Sequence, residues 1–515
     1  MIKLAPLCVL VAAVAGVVAG ELAPPERSYK ILMLLPVSSK SHRNVFMSLA
    51  EALADRGHEV TMLTNHPKSS RHPSIHEATH GLPYLKENNM NTFQNKNKRF
   101  TILREKVVAI AREMYRTAAV KDLYRRRKEF DLMLVDNMFN EGAYPFLHEV
   151  PFITVFTSML NPHHSAVQGN VLHPAYIPSI TYARSSSTSA WRRFLKTVSH
   201  IYTQLYWPKW EEISAIQQEI SAQFPELPPL LDLERNMSLA LINTHFSIGI
   251  PLPLLPSQVE VGGMHCRPAS PLPQELESWI TGAGSAGVIY FSLGSITQGI
   301  DMPVQYRDLF VQAFRRLPQR VIWKYEGELE DLPHNVMIGK WFSQQDILAH
   351  HNMKVFITHC GLLGLQEAVY HATPLLAIPL FAEQPVNAWF VRDSGIGRFL
   401  ELVDLTEDLV VDALTDIINN PKYKENVMRM SEGMRDRPTS PRELAVFWTE
   451  YVIRHRGAPQ LRSPAAQLSW VEFLMLDVLL LLLLALFLLL FILRRFFRDI
   501  AAKLFCSDGN KKKSD

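Results

Sequence analysis

The chain has 515 residues, of which 47% are hydrophobic, and a formal net charge of +3. This length suffices for two or three domains, and so small a net charge gives no reason to expect a nucleic-acid partner. Cys8 falls in a predicted leader and Cys506 in a tail, so only Cys266 and Cys360 remain. Two cysteines cannot form a disulfide framework. The fold is therefore expected to depend on its hydrophobic core.

The N-terminus has the pattern of a secretory signal peptide. Lys3 precedes an apolar run that ends at the small residues Val18-Ala19-Gly20, and the apolar run is short for a membrane anchor. Residues 1–20 are therefore predicted to be removed.

The next segment has the pattern of a βαβ unit. Ile31–Leu35 predicts a buried strand, Val45–Leu53 has helical spacing that ends near Gly57, and Val60–Leu63 predicts a second strand. His42 is predicted to lie in the loop after the first strand.

A further predicted strand ends in an acidic residue. Residues 65–100 are polar and predict variable loops, and residues 101–128 predict one amphipathic helix. Residues 130–135 then predict a strand that Asp136 closes. Because parallel strands present their carboxyl ends at one edge of a sheet, Asp136 is expected on the same edge as His42.

The middle of the chain has a sequon and a proline-rich segment. Another strand is predicted at 151–156, and residues 161–230 are rich in Pro, Ser, Tyr and Trp, with a helical portion at 191–224. Asn236 begins an Asn-Met-Ser glycosylation sequon. Six prolines at 251–273 predict a linker between domains.

A glycine-rich segment stands next to the following predicted strand. Residues 282–287 match G-x-G-x-x-G but precede the strand Val288–Phe291, whereas a dinucleotide fingerprint follows a strand. The turn after that strand is the better candidate, because Gly294 lets the backbone approach a phosphate and the Ser295 hydroxyl can donate.

The most informative stretch is Phe356–Gln384, FITHCGLLGLQEAVYHATPLLAIPLFAEQ. It follows predicted strands at 321–325 and 336–338, and predicts a strand, a tight turn, a helix, a second strand and a loop. His359 and the first helical N–H groups would lie at the carboxyl end of a parallel strand. That edge of an α/β sheet binds ligands, and a helix N-terminus favours phosphate.

The C-terminal segment predicts a membrane anchor. Residues 470–493 provide about the 20 apolar residues that a bilayer span needs. Basic residues follow the run, which places the C-terminal side in the cytoplasm. Lys512-Lys513, near the end, resembles a dilysine signal for retrieval to the endoplasmic reticulum.

The stretch Phe356–Gln384 resembles, almost position by position, the signature of the UDP-glycosyltransferases. The segments around His42, at 340–350 and at 436–462 are similar to the same family. The resemblance implies an α/β GT-B fold, with two Rossmann-like domains facing a cleft, and one C-terminal transmembrane helix. The implied divisions are 21–260 for the acceptor-binding domain, 261–462 for the UDP-sugar-binding domain, 470–493 for the transmembrane helix and 494–515 for a cytoplasmic tail.

The resemblance also implies site residues. His42 would be the catalytic base and Asp136 its carboxylate partner. The residues implied in donor binding are Gly294, Ser295, Trp341, Gln344, His359, Gly361, Gly364, Glu367, Glu383 and Gln384. Three positions depart from the family pattern: Cys360 replaces Gly, Leu363 replaces a common Asn, and Glu383 replaces Asp.

The implied reaction is the inverting transfer of a hexosyl group from a UDP-sugar to a hydroxyl of a small lipophilic acceptor. An alcohol is a poor nucleophile at neutral pH, whereas a neutral His, with an ordinary pKa near 6.5, can take its proton. The UDP-sugar is a co-substrate, and no other cofactor is expected. The chain contains no D-x-D sequence, so no metal is expected at the diphosphate.

The sequence leaves the donor sugar and the exact activity open. The arthropod-type variant Leu362-Leu363-Gly364 favours glucose, although related vertebrate proteins often use glucuronic acid. The pattern is also compatible with a non-catalytic, membrane-anchored UDP-sugar binder and with a transferase that acts on protein or lipid. The expected location is the endoplasmic reticulum membrane, as a single-pass type I protein with lumenal catalytic domains. Its expected partners are the UDP-sugar, the acceptor and the bilayer, and homo-oligomerisation is left open.

Overall fold

The structure is a computed structural model that describes residues 22–82, 96–174, 177, 189–206 and 211–508. The predicted signal peptide and the Lys512-Lys513 signal lie outside these residues. Two sheets organise the described chain, and every paired strand in both sheets is parallel.

The first sheet has seven strands in the order β3-β2-β1-β4-β5-β6-β7. The strands are β1 Lys30–Leu35, β2 Glu59–Thr64, β3 Ile75–Thr79, β4 Leu132–Asp136, β5 Phe152–Phe156, β6 Leu239–Ile242 and β7 Gln258–Glu260. Alternate side chains of β1 enter separate apolar clusters, Leu32 and Leu34 in one, Ile31 and Met33 in the other. Because successive side chains of a strand point to opposite faces, the sheet is covered on both sides.

Seven α-helices within the described residues accompany this sheet. They are α1 Lys40–Asp55, α2 Lys96–Glu113, α3 Ala118–Arg125, α4 Pro162–Val167, α5 Ala190–Tyr206, α6 Glu211–Gln223 and α7 Leu230–Glu234. The side chain of Ser39 caps α1 by accepting from the backbone N–H of His42 at 3.2 Å. Helix α1 therefore begins at Lys40, and the prediction that His42 lies in a loop was wrong, since His42 lies in the first helical turn.

The second sheet has six strands in the order β10-β9-β8-β11-β12-β13. Its strands are β8 Val288–Ser292, β9 Arg320–Lys324, β10 Val336–Gly339, β11 Met353–Thr358, β12 Leu375–Ala377 and β13 Gly397–Phe399. The helices around it are α8 Gln274–Thr281, α9 Val304–Arg315, α10 Gln344–Leu348, α11 Leu362–Tyr370, α12 Gln384–Asp393, α13 Glu407–Asn419 and α14 Pro421–Arg435. This strand order is that of a Rossmann fold, in which ligands bind beyond the carboxyl ends of the strands.

The chain then returns to the first half. Helix α15, Pro441–Arg454, begins with a capping box made by Ser440 and Glu443 and packs on α1. Its Glu450 carboxylate accepts from Arg56 Nε at 2.6 Å and lies 3.0 Å from Nε2 of His58. Where the chain crosses between halves, Arg437 Nη2 donates to the Gly262 carbonyl at 2.9 Å.

The described chain ends in an apolar helix. A short helix, α16 Trp470–Phe473, precedes α17 Leu476–Asp508, and Met475 between them has φ +52°. Residues Leu476–Lys503 are long and apolar enough to cross a membrane, and none of that segment is buried in the protein. The apolar helix α17 therefore corresponds to the predicted transmembrane helix. It starts six residues after the predicted start and ends beyond the predicted end.

Two other predicted elements were wrong. The single helix predicted at 101–128 is broken, because Thr117 is extended, with ψ 145°, and buried Met114 and Tyr115 form a separate 3₁₀ turn before it. Strand β3 lies within the predicted loops at 65–100. There Ile75 enters the core and the buried Glu77 pairs with Arg43, a long-range contact that the sequence pattern does not reveal.

Candidate active site

The structure brings His42 and Asp136 together, as predicted. Strands β1 and β4 are parallel neighbours, so the start of α1 and the end of β4 lie at one edge of the sheet. Nδ1 of His42 lies 2.7 Å from Oδ2 of Asp136, whose side chain is fully buried. With its proton on Nδ1 the imidazole donates to Asp136 and keeps the lone pair on Nε2, the arrangement that a general base needs.

The charges around His42 favour its protonated form. Burial is the largest influence and opposes the charge, but Asp136 and then Glu383 outweigh it and raise the pKa of His42 above its ordinary value. Glu383 belongs to the second half of the chain. The pKa of this one imidazole is therefore set by carboxylates from both halves.

Thr157 is a third member of this group that the sequence analysis missed. It directly follows β5 and is buried. Its hydroxyl lies 3.0 Å from Nδ1 and 3.2 Å from Nε2 of His42, and 3.4 Å from Oδ1 of Asp136. The rule that selected Asp136, a polar residue at the end of a predicted parallel strand, could also have found Thr157.

His359 is enclosed by two of the predicted glycines. A Cβ on Gly294 would lie 2.5 Å from Cε1 of His359, and a Cβ on Gly361 would lie 2.6 Å from its Nε2. Gly294 also has φ +88°, a conformation that side chains disfavour. The two glycines therefore allow the imidazole to lie against the backbone of both turns.

The environment of His359 keeps its imidazole neutral. Burial, followed by the positive charge of Lys324, lowers the pKa of His359 to about 4. Lys324 ends β9 and pairs with Glu326. At neutral pH His359 can therefore offer an N–H to an anion without carrying a charge.

Cys360 and Leu363, two departures from the family pattern, have different structural roles. Cys360 is buried and has φ +65°. This left-handed conformation costs a non-glycine residue about 1–2 kcal/mol. Its carbonyl accepts from Nδ2 of Asn387 at 3.0 Å. Leu363 packs against the apolar cluster of the first half, so it makes a contact between the halves.

Glu383 and Gln384 lie at the start of α12. Burial raises the pKa of Glu383, while His42 and a hydrogen bond from the Leu362 backbone act against that shift. Glu383 thus reaches both the imidazole of the first half and the N-terminus of α11. Oε1 of Gln384 accepts from Leu380 N–H at 2.8 Å and from Phe381 N–H at 3.0 Å, so contact with a sugar would come from its NH₂ group.

The predicted base- and ribose-binding residues are Trp341 just before α10, Gln344 at the start of α10 and Glu367 in α11. Trp341 is 58% exposed, which contradicts a core-packing role, and Lys40 Nζ and Lys324 Nζ lie 5.0 and 5.6 Å from its ring centroid. Gln344 donates to the carboxylate of Glu367 through its side-chain amide. Burial raises the pKa of Glu367 to about 7, and His265 Nε2, which the sequence analysis did not select, lies 3.6 Å from its Oε1.

The remaining predicted positions are less constrained. Gly364, in α11, has ordinary contacts, because a Cβ there would meet its first neighbour, Gln344 Nε2, at 3.5 Å. Ser295 is half-buried in the turn after β8, and Asn236 is exposed. Among the described residues, no group of three or more His, Cys, Asp or Glu side chains could hold a metal ion.

Two parallel Rossmann-type sheets, each with a histidine at one edge, form a GT-B fold. Solved structures support this fold. The calicheamicin glycosyltransferase CalG4 matches with TM-score 0.59 and 18% identity, over 83% of this chain and 99% of that one. Os79 from O. sativa, in complex with U2F and trichothecene, matches with TM-score 0.56 and 15% identity, over 82% and 99%.

Sequence comparison identifies the family within this class. The family model described as "UDP-glucoronosyl and UDP-glucosyl transferase" matches residues 30–512, and the chain belongs to this family. UDP-glucosyltransferase 2 of Dactylopius coccus is 34% identical over 87% of this chain and 89% of its own length. UDP-glucuronosyltransferase 2B15 of Homo sapiens is 31% identical over 92% and 94%. The chain is a UDP-glycosyltransferase, so the hypothesis of a non-catalytic binder is not retained.

Proposed function

We propose that this UDP-glycosyltransferase transfers glucose from UDP-glucose to a hydroxyl of a small lipophilic acceptor, with inversion at the anomeric carbon. The observation that carries the proposal is the 2.7 Å pair of His42 and Asp136, with Glu383 of the other half acting on the same imidazole. In this proposal residues 21–260 bind the acceptor and residues 261–462 bind the donor.

The proposed chemistry begins at Nε2 of neutral His42. This nitrogen accepts the proton of the acceptor hydroxyl while the oxygen bonds to the anomeric carbon from the face opposite UDP. The bond from that carbon to the diphosphate oxygen breaks, and UDP leaves with the electron pair. Asp136 stabilises the imidazolium that forms, and a positioned base of this kind contributes roughly 10²–10⁴-fold to the rate.

The leaving diphosphate would be bound by the second half. Neutral His359 offers an N–H, the turn at Gly294 and Ser295 lets the backbone approach, and Gly361 stands before the N-terminus of α11. Lys324 adds a positive charge close enough to lower the pKa of His359. These groups compensate the charge that develops on UDP.

Recognition of the rest of the donor is assigned to exposed and polar side chains near this turn. Trp341 would stack on uracil, a contact of about 1–3 kcal/mol. Gln344 and Glu367, already hydrogen bonded to each other, would bind the ribose, with Gly364 opposite Gln344. Glu383 and the NH₂ of Gln384 would contact the sugar.

The choice of glucose rests on charge at the sugar end of the site. Names of relatives do not decide it, since they include both glucosyl- and glucuronosyltransferases. The carboxylate of Glu383 lies close enough to His42 to raise its pKa, so the carboxylate of a glucuronic acid donor would meet a like charge there. Neutral glucose avoids that repulsion.

A donor panel tests the proposal. The purified enzyme is given one phenolic acceptor with UDP-glucose, UDP-glucuronic acid or another UDP-hexose, and the products are identified by mass. We expect the glucoside as the main product. A predominant glucuronide would overturn the choice of sugar while leaving the transferase assignment intact.

Metal independence is part of the same proposal. The chain contains no D-x-D sequence, and charge on the diphosphate is assigned to His359, Lys324 and backbone N–H groups. Activity is therefore expected to survive EDTA. Loss of activity on chelation, restored by added metal, would contradict this charge assignment.

The proposed location is the endoplasmic reticulum membrane, with the catalytic halves in the lumen. The exposed apolar helix α17 and the basic residues Arg494, Arg495 and Arg498 support it. In that orientation the exposed Asn236 would carry a glycan. Asn236→Gln should then remove a mass shift that a glycosidase also removes, and an unglycosylated wild-type chain would contradict the lumenal placement.

A further inference from the structure

A buried glutamine joins the two halves of the molecule beside the candidate active site. Gln366 lies in α11 of the second half, and its side chain is fully buried. Its Nε2 donates to the carbonyl of Asn243 at 2.7 Å, and its Oε1 accepts from the Gly263 N–H at 3.2 Å. Asn243 directly follows β6 of the first sheet. The amide of Gln366 therefore holds α11 to the end of a strand of the first half.

Asn243, which is also fully buried, continues this contact to the candidate active site. Its Nδ2 donates to the carbonyl of Thr157 at 3.1 Å, and its Oδ1 accepts from the Gly263 N–H at 3.3 Å. The hydroxyl of Thr157 lies 3.0 Å from Nδ1 of His42. Two side-chain amides, one from each half, therefore connect α11 to the residue whose hydroxyl contacts the proposed base.

The same turn of α11 also carries a residue of the proposed donor site. Glu367 follows Gln366 in the chain, and its carboxylate accepts from the side-chain amide of Gln344 within the second half. Two adjacent side chains of one helix are thus held by different partners. One contacts the proposed ribose site, and the other contacts the first half.

The hydrogen bonds of Gln366 fix the position of α11 in a way that apolar packing does not. Leu363, on the same helix, packs against an apolar cluster of the first half. Hydrophobic packing is non-directional, so it permits small shifts of one surface along another. Hydrogen bonds weaken steeply when their angle is poor, and a satisfied buried polar network specifies one arrangement of its members. The two amides therefore determine how α11 and Thr157 are placed relative to each other.

We propose that Gln366 is a positioning residue for glycosyl transfer, which acts through Asn243 to hold the Thr157 hydroxyl beside His42. The inference rests on the proposed function, in which His42 is the base and the second half binds the donor. Without the Gln366 amide, the buried carbonyl of Asn243 would lose its donor. Because such a loss is costly, Asn243 would turn toward another partner and release Thr157.

This role predicts a pattern that two simpler roles do not. A glutamine that only stabilised the contact between the halves would lower the Tm when replaced, and the folded enzyme would keep its kcat. A glutamine that only supported Glu367 would weaken the binding of UDP when replaced. Positioning of Thr157 predicts a lower kcat at a nearly unchanged affinity for UDP.

A double-mutant cycle tests the proposal in the full-length enzyme. Gln366→Met, which keeps the approximate shape and removes both hydrogen bonds, is made in the wild type and in Thr157→Val. In the wild type kcat should fall by roughly 2–12-fold, the range for one lost hydrogen bond. In the Thr157→Val background the same substitution should lower kcat little further, because residues that act together have non-additive effects. UDP titration calorimetry should give an affinity close to the wild-type value for each variant.

Asn335→Leu is the matched control for the loss of a buried amide. Asn335 directly precedes β10, at the edge of the second sheet opposite the candidate site. Its Nδ2 donates to three backbone carbonyls, those of Phe314, Leu317 and Gln319, at 2.9–3.1 Å. This substitution should lower the Tm and leave kcat unchanged in both backgrounds.

Several outcomes would overturn the proposal. An unchanged kcat for Gln366→Met, with or without weaker UDP binding, would contradict it, and so would an equal fall in kcat in both backgrounds. Asn243→Leu removes the bond to Thr157 directly and must show the same non-additivity, so the test does not depend on the folding of one variant. Full turnover of His42→Ala would contradict the proposed function instead, since the cycle reports on Thr157 whichever group is the base.

Discussion

The two halves of the molecule differ in the environments of two histidines, His42 in the first half and His359 in the second. Each follows a central strand of a parallel sheet, and for each the largest influence on its pKa is burial, which opposes the charged form. Yet the pKa of His42 is raised, whereas that of His359 is lowered to about 4. The difference comes from the neighbours, which are Asp136 and Glu383 for one imidazole and Lys324 for the other.

Residue type and position on a sheet edge therefore do not by themselves determine the role of a histidine. A carboxylate partner makes an imidazole suited to gaining a proton, and an ammonium neighbour keeps it an uncharged donor. The substitutions below test whether the two histidines differ in this way, in order of decreasing expected effect.

The largest effect is expected from His42→Ala. Without the base, turnover should fall by roughly 10²–10⁴-fold. The affinity for UDP should stay near the wild-type value, because the proposed donor-binding residues lie in the other half. Product formation and UDP titration calorimetry measure the two quantities. An unchanged turnover would remove His42 from the mechanism.

His359→Phe should have the next largest effect. It removes the N–H that is proposed to bind the diphosphate. Hydrogen bonds to charged groups contribute about 1.5–3 kcal/mol, so kcat/KM for the donor should fall by roughly 10–150-fold. The pH dependence should be unchanged between pH 5 and 8, because His359 does not titrate there. An altered acid limb would show that His359 carries a charge during the reaction.

Thr157→Val tests the hydroxyl beside the pair of His42 and Asp136. The loss of one hydrogen bond of about 0.5–1.5 kcal/mol predicts a reduction in kcat of roughly 2–12-fold. Thr157→Ser, which keeps the hydroxyl, is the control and should recover most of the rate. Equal rates for the Val and Ser variants would show that the Thr157 hydroxyl does not contribute to the rate and that the side chain serves packing alone.

Glu383→Gln should move the acid limb of the pH profile. The folded pKa of His42 is raised above 6.5, so the neutral base is lost as pH falls through that raised value. Removing the charge of Glu383 lowers the pKa, so the acid limb of log kcat/KM should shift to lower pH. The pH profile of kcat/KM measures this shift, and the profile of His359→Phe is the comparison. A shift to higher pH would contradict the electrostatic contact between the halves.

Cys360→Gly should have the smallest effect and should change stability more than rate. Cys360 has φ +65°, so glycine relieves about 1–2 kcal/mol of backbone strain, partly offset by the lost packing of the buried thiol. Cys360→Ala loses the thiol but keeps the strain. The Gly variant should therefore have the higher Tm in thermal unfolding. A higher Tm for the Ala variant would contradict the strain.

The sequence predicted the fold class and the contacts that lie within one sheet. The pairing of His42 with Asp136 follows from the rule that parallel strands end at one edge, and His359 was expected at such an edge as well. Glu383 beside His42 was not predicted, because that contact depends on how the two halves are placed. Strand β3 was missed because its sequence is polar. The pairing of Glu77 with Arg43, which compensates this polarity, is a long-range contact within the first half that the sequence pattern does not reveal.

The return of α15 to the first half has a mechanical consequence. The chain passes between the halves twice, near Gly262 and near Arg437, and a hydrogen bond joins these two passages. Because the two crossings are adjacent, we expect any opening of the molecule to take place about this one point. The first half is therefore not a contiguous segment, and a separately produced N-terminal fragment would need residues 441–454 supplied to cover its sheet.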